Sequence, residues 1–160
     1  IKAIAKLVDD ELDIQLICTG NKTAYHEIIE GEIGKLNLDK NVKFLGIVPE
    51  EDLIGLYKAA SLVVIPTLYE AGSGPLYEAM RYFSPVICSN VTSLPYTMGN
   101  DNFIFDPNNV KEIADLIKRM LTDDSLKKEN INNSKKRMES LSAADYSKNF
   151  IDVYKKVGTI

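Results

Sequence analysis

Apolar positions along the 160-residue chain follow two alternating patterns. Short, largely apolar runs occur at Asp13-Ile14-Gln15-Leu16-Ile17-Cys18, Val42-Lys43-Phe44-Leu45, Leu62-Val63-Val64-Ile65, Pro85-Val86-Ile87-Cys88 and Phe103-Ile104-Phe105. Between them apolar residues recur at helical spacing, as in Leu53, Ile54, Leu56, Tyr57, Ala60 and in Val110, Ile113, Ala114, Ile117, Met120, Leu121. Strands that are apolar on both faces and joined by helical crossovers belong in a parallel sheet covered on both sides. The pattern therefore predicts an α/β fold, a Rossmann-like doubly wound parallel sheet.

The two ends of the chain modify this picture. Ile1, Ile4, Ala5 and Val8 fall on one helical face, so the chain opens on a helix. A doubly wound domain ordinarily opens on a strand, and a first strand with a preceding domain is expected upstream. From 110 to 157 the pattern is almost wholly helical and more charged, with Lys127-Lys128, Lys135-Lys136-Arg137 and Lys155-Lys156 on solvated faces. That predicts a helical C-terminal tail.

A hydrophobic content of 45% in 160 residues suits one domain spanning 1–160. The net charge of −4 argues against nucleic acid as a partner, because binding many phosphates requires clustered Lys and Arg. No apolar run approaches the roughly 20 residues that cross a bilayer, and Ile1 to Lys6 shows no signal-peptide segment, so the chain reads as cytoplasmic. Cys18 and Cys88 each end a strand-like run and read as buried free thiols. His26 lies in a polar helical stretch, where a solvent-facing side chain is expected; one His without a Cys or carboxylate cluster makes no metal site. The sequons at Asn21, Asn90 and Asn132 have no consequence in a cytoplasmic chain.

Ligands of open α/β sheets bind at the carboxyl ends of the strands. Here those ends carry Thr19-Gly20-Asn21, Gly46-Ile47-Val48, Pro66 to Pro75, and Ser89-Asn90. The third is richest. Ala71, Gly72, Ser73 and Gly74 are all small, so a ligand can approach the backbone, and Pro75 suits the first residue of a helix. Such a loop running into a helix N-terminus favours a phosphate or diphosphate. Glu78, about one turn into that helix, can accept from two adjacent hydroxyls, as a ribose diol would require. Glu70, before the loop, faces the same cleft from the other side, where a second hydroxyl-rich group would lie. Phosphate flanked by two diols suggests a nucleotide-sugar. On spacing and loop chemistry alone, an ordinary strand-to-helix turn with a solvated Glu78 accounts for the stretch equally well.

Other phosphate-binding readings fare worse. No G-x-G-x-x-G follows a strand, Leu16 to Thr23 lacks the glycine spacing of a P-loop, and the strand ends carry Gly20, Gly46, Pro66 and Ser89 rather than the acidic cluster of a response regulator.

Glu70 to Glu78, with Pro75 and Ala79-Met80, resembles the E-x7-E signature of glycosyltransferase family 4, the retaining GT-B group that commonly reads E-G-F-G-x-P-x-x-E-A-M. The flanks agree with it in order and spacing: Val42 to Gly46 is similar to V-x-F-L-G, Tyr57 to Ser61 to Y-x-x-A-D, Val64 to Thr67 to V-x-P-S, Ser93 to Pro95 to G-L-P, and Phe105 to Asn108 to F-D-P-N. The resemblance implies the C-terminal half of a GT-B fold, with an N-terminal acceptor domain of the same protein opposite it. It implies transfer of a sugar from a nucleoside-diphosphate sugar to an acceptor glycan or lipid-linked sugar, in cell-surface polysaccharide or glycolipid assembly. No cofactor and no metal are implied. Any membrane contact would be peripheral, at the inner face and through the upstream domain.

By the same resemblance Glu78 would bind the ribose, and Glu70, the candidate catalytic residue, the donor sugar. The backbone from Gly72 to Pro75 would bind phosphates and sugar, Gly46, Ile47 and Val48 would lie against the base, and Gly20 would approach the phosphates. Ala71 and Gly72 depart from the usual Gly and aromatic residue, which leaves the sugar unassigned. Ser84 and Tyr96 also differ from the family's usual Gly and Glu. A nucleotide-sugar 2-epimerase and a catalytically silent sugar-nucleotide-binding module remain as alternatives. The epimerase usually carries further acids and histidines in this half, whereas this chain has one His.

Overall fold

The computed structural model describes residues 1–141 and 143–158, so of the expected 1–160 span residues 142, 159 and 160 lie outside the described residues. Helices and strands alternate as the pattern predicts: α1 (Lys2–Asp9), β1 (Leu16–Thr19), α2 (His26–Lys35), β2 (Val42–Gly46), α3 (Glu50–Ala59), β3 (Val63–Ile65), α4 (Gly74–Arg81), β4 (Val86–Ser89), α5 (Leu94–Met98), β5 (Ile104–Phe105), α6 (Val110–Thr122), α7 (Asp124–Ser140) and α8 (Ala143–Val157). Every strand pair is parallel. The strands form two ladders, β1-β2 and β3-β4-β5. The fold is α/β with parallel sheets and covering helices.

β4 is the central strand of its ladder and is buried along its whole length, which is why Val86-Ile87-Cys88 reads as an unbroken apolar run. β1 alternates between half-buried and exposed positions, so Ile17 is exposed and Cys18 only partly covered. This corrects the expectation of two buried thiols. Burial pushes the Cys88 thiol up to about 12, and it raises Cys18 as well. At pH 8, below the raised value, Cys88 stays a thiol, and only a thiolate reacts with alkylating reagents. Iodoacetamide with mass spectrometry is therefore expected to label Cys18 first and Cys88 only in denaturant; equal labelling in the native protein would contradict the burial.

His26 is the second correction. Instead of facing solvent it is buried, with its ring edge-on to Phe44 at 4.6 Å and Nε2 2.8 Å from Oε1 of Glu30. It opens α2, and Phe44 on β2 draws the ring inward because the aromatic contact removes more apolar surface from water than an exposed imidazole would.

On the other side α7 packs on α4, α5 and α6, while α1 packs on α6, with Lys118 Nζ 2.7 Å from Asp10 Oδ2. Asn130, fully buried in α7, accepts from the Val86 amide and donates to the Val86 carbonyl, both at 2.8 Å. Arg137 donates to the carbonyls of Tyr96 and Thr97 at 2.6 and 3.1 Å, near the C-terminus of α5. α8 exposes Phe150, Ile151, Val153, Tyr154 and Val157. Among the described residues no helix is long and apolar enough to cross a membrane.

Candidate functional site

Because all strands are parallel, the candidate residues fall where predicted, beyond strand carboxyl ends, and they form two groups. Gly20 follows β1 and Gly46 ends β2, with φ of +116° and +71° respectively, backbone that glycine adopts without steric cost. The Gly20 amide donates to the Gly46 carbonyl at 2.8 Å, beside a register shift between Cys18 and Thr19. Ile47 is exposed beyond this pair and Val48 partly so.

The second group is the stretch from Glu70 to Glu78. Hydroxyls from the end of β4 and the segment after it lace the loop that follows β3. Ser89 Oγ donates to the Thr67 carbonyl at 2.7 Å, Thr92 Oγ1 to the Glu70 carbonyl, and Ser93 Oγ to the Ala71 carbonyl at 3.1 Å. Thr92 holds φ +50°, a conformation a β-branched residue adopts only under constraint, and here its hydroxyl is committed to the loop. Glu70 is thereby fixed through its main chain while its side chain stays partly exposed.

Helix α4 begins one residue earlier than predicted, at Gly74, with Pro75 in its first turn. Ser73 is its N-cap: the buried hydroxyl accepts from the Leu76 amide at 3.2 Å. The Ser73 side chain is thus spent on the helix, and only its backbone is available to a ligand. With no amide on Pro75, the N–H groups nearest the helix mouth are those of Gly72, Ser73 and Gly74. Gly72 and Gly74 are both exposed.

Glu78 is half-buried, and its Oε2 accepts from the hydroxyl of Tyr57 at 2.9 Å. Its other oxygen, Oε1, lies at the start of α4, 3.9 Å from where a β-carbon on Gly74 would sit. Tyr57 is buried on α3, stacked against Tyr82 with ring centroids 5.9 Å apart, and Ser84 Oγ donates to its carbonyl at 2.6 Å. Burial and then the bond to Glu78 hold the phenol well above its usual range, so it remains a donor at any working pH.

Sequence reasoning gave no site role to Tyr57, Thr92 or Ser93, although Tyr57 and Ser93 stand in the flanking motifs, because their contacts with Glu78, Glu70 and Ala71 span 21 to 22 residues. Two open depressions lie elsewhere: one of about 310 Å³ between Asp101, Asn102 and α6, the other of about 560 Å³ along α7. Neither includes a candidate residue. Among the described residues, no three His, Cys, Asp or Glu side chains stand close enough to hold a metal.

The chain is 48% identical over 84 residues, 52% of its length, to the O-antigen chain mannosyltransferase B of Escherichia coli. It is 32% identical over 97% of its length to an uncharacterized glycosyltransferase of Methanocaldococcus jannaschii. It spans 22% of the first and 40% of the second, so both relatives are much longer. Its fold superposes on Anabaena HepE, solved in complex with UDP and glucose, with a TM-score of 0.80 and 20% identity over 97% of this chain and 44% of that one. The family of glycosyl transferases group 1 matches residues 1–137, and the chain belongs to it.

Proposed function

We propose that this chain is the donor-binding, C-terminal GT-B half of a retaining glycosyltransferase of family 4, with Glu70 to Glu78 as its E-x7-E donor site. The observation that carries the reading is Glu78, whose Oε1 stands over the Gly74 backbone at the mouth of α4. A diphosphate at that mouth would meet the amides of Gly72 to Gly74 and the positive end of the helix, and a ribose beyond it would reach Glu78. Ala71 would contribute backbone only. Gly46, Ile47 and Val48 receive the base, exposed Ile47 offering an apolar surface, and the strain-free positive φ of Gly20 permits close approach to phosphate. The solved relative with UDP and glucose supports this class of donor.

The separate β1-β2 and β3-β4-β5 ladders fit a first strand from an upstream segment running between β1 and β3. An acceptor domain would precede it. The whole protein then transfers a sugar to a glycan or lipid-linked acceptor, from the cytoplasmic side, in surface polysaccharide assembly; its mannosyltransferase relative of O-antigen chains favours that setting. The α4 amides stabilise charge on the departing diphosphate, and the acceptor hydroxyl attacks the anomeric carbon. By itself the chain is expected to bind a nucleoside diphosphate weakly and transfer no sugar.

Calorimetric titration of the intact protein with UDP, GDP and ADP tests the site. Glu78→Ala is expected to weaken the preferred nucleotide about 20-fold, the scale of hydroxyl bonds to a charged acceptor less their solvent replacement. Unchanged binding would remove the ribose assignment. NMR of the product anomer tests retention, and an inverted product would exclude it.

A further inference from the structure

A carboxylate that must receive a sugar diol has two oxygens to orient and three side-chain torsions to fix, and each freedom left open weakens binding. Glu78 is not left open. Its Oε2 is tied to the Tyr57 hydroxyl at 2.9 Å, and the untied Oε1 is the one that stands beside Gly74 at the start of α4. Tyr57 is itself held on both sides: its ring is buried and stacked on Tyr82, and its carbonyl accepts from the buried Ser84.

A buried tyrosine hydroxyl needs a partner, and a carbonyl on the same helix layer would satisfy it. This one reaches from α3 across to α4 to a side chain at the ligand-facing end. The bond is charge-assisted, with a donor that does not ionise in the working range, so it restrains Glu78 at every pH where the carboxylate exists.

We propose that Tyr57 is a positioning residue for donor recognition: it holds Oε2 of Glu78 so that Oε1 is presented to the ribose, and it sets the preference for ribo- over 2′-deoxyribonucleotides. The proposal rests on the ribose role of Glu78 given above. Ser84, which departs from the usual glycine at that point, belongs to the same arrangement, because its hydroxyl fixes the Tyr57 main chain.

The test is a calorimetric comparison, on the intact protein, of UDP, GDP and ADP with their 2′-deoxy counterparts, for wild type, Tyr57→Phe, Glu78→Ala and Tyr82→Leu. Tyr57→Phe keeps the ring and its stacking and removes one oxygen. It is expected to weaken the ribonucleotide about fivefold, leave the deoxynucleotide nearly unchanged, and so lower the ribo-to-deoxy ratio about fivefold. Tyr82→Leu, which disturbs packing but not the hydroxyl, is expected to keep the ratio. Equal weakening of both nucleotides by Tyr57→Phe would show a purely structural role and overturn the proposal. A ratio that collapses in Glu78→Ala but survives in Tyr57→Phe would overturn it while leaving the ribose reading intact. A ratio unchanged in Glu78→Ala would overturn the ribose reading and this inference with it.

Discussion

Asn130→Asp is expected to cost about 3–5 kcal/mol of stability at pH 7.5, on the order of the penalty for breaking a buried polar pair. The native amide is fully buried and makes a matched pair of bonds, accepting from the Val86 N–H and donating to the Val86 carbonyl at 2.8 Å each. A carboxylate keeps the first bond and reverses the second, setting two acceptors against each other where water does not reach. The introduced carboxyl would regain the second bond only by binding a proton, which raises its pKa in the folded state above the unfolded value near 3.9. The penalty is then absent below the unfolded pKa and grows as pH rises through the folded one, so the variant lies closest to wild type in acid. Urea titrations followed by circular dichroism at pH 4.5 and 7.5 should show the gap between the two proteins widening at the higher pH. A melting temperature within about 2 °C of wild type at pH 7.5 would contradict the prediction, since the expected drop is about 10–15 °C for a domain of this size.

That effect falls on a residue the sequence presents as unremarkable. Asn130 lies in a polar stretch next to a chance sequon, and α7 has little amphipathic pattern because it buries Asn130 and Ser134 as well as Leu126 against the rest of the fold. Hydrophobic periodicity reports which positions are apolar, and it is silent on a polar side chain that is buried because it pairs with strand backbone. His26 was missed because its burial is decided by the ring of Phe44 on the next element, β2, 18 residues along the chain. Half-covered β1 works in the other direction, since alternation within four residues is masked when both faces carry apolar side chains.

What the pattern did reveal depends on local rules. Short apolar runs became strands because β4 and its neighbours are covered by helices, and the small-residue loop became a helix entrance because Ser73 and Pro75 suit its first turn. The two glutamates of the candidate site were legible for that reason. Their environments were not, because Tyr57 and Thr92 reach them from 21 and 22 residues away. Those environments differ: Glu78 is held by its side chain, whereas Glu70 is held by its main chain, with a partly exposed carboxylate. Two carboxylates of one motif are therefore suited to separate tasks.

The expected consequence is a dissociation between binding and transfer. Glu70→Gln in the intact protein is expected to lower sugar transfer about 100-fold while changing nucleoside-diphosphate affinity less than about threefold. The amide matches the carboxylate in shape, and the Thr92 bond to the main-chain carbonyl is untouched, so the loop is not disturbed. On the proposed role, what is lost is a charged acceptor for two sugar hydroxyls, each bond worth about 1.5–3 kcal/mol before solvent replacement, and a fixed negative charge beside a sugar that becomes positive as the diphosphate departs. About 2.7 kcal/mol of lost transition-state stabilisation corresponds to that 100-fold. UDP, GDP and ADP lack the donor sugar, so on the proposed roles their binding has nothing to lose at Glu70, whereas Glu78→Ala removes the acceptor proposed for their ribose. Initial rates with the sugar donor and calorimetry with the bare diphosphate, run on both variants, separate the two roles. Equal losses of transfer and of diphosphate binding in Glu70→Gln would place this carboxylate on the nucleotide and leave the donor sugar without its proposed acceptor.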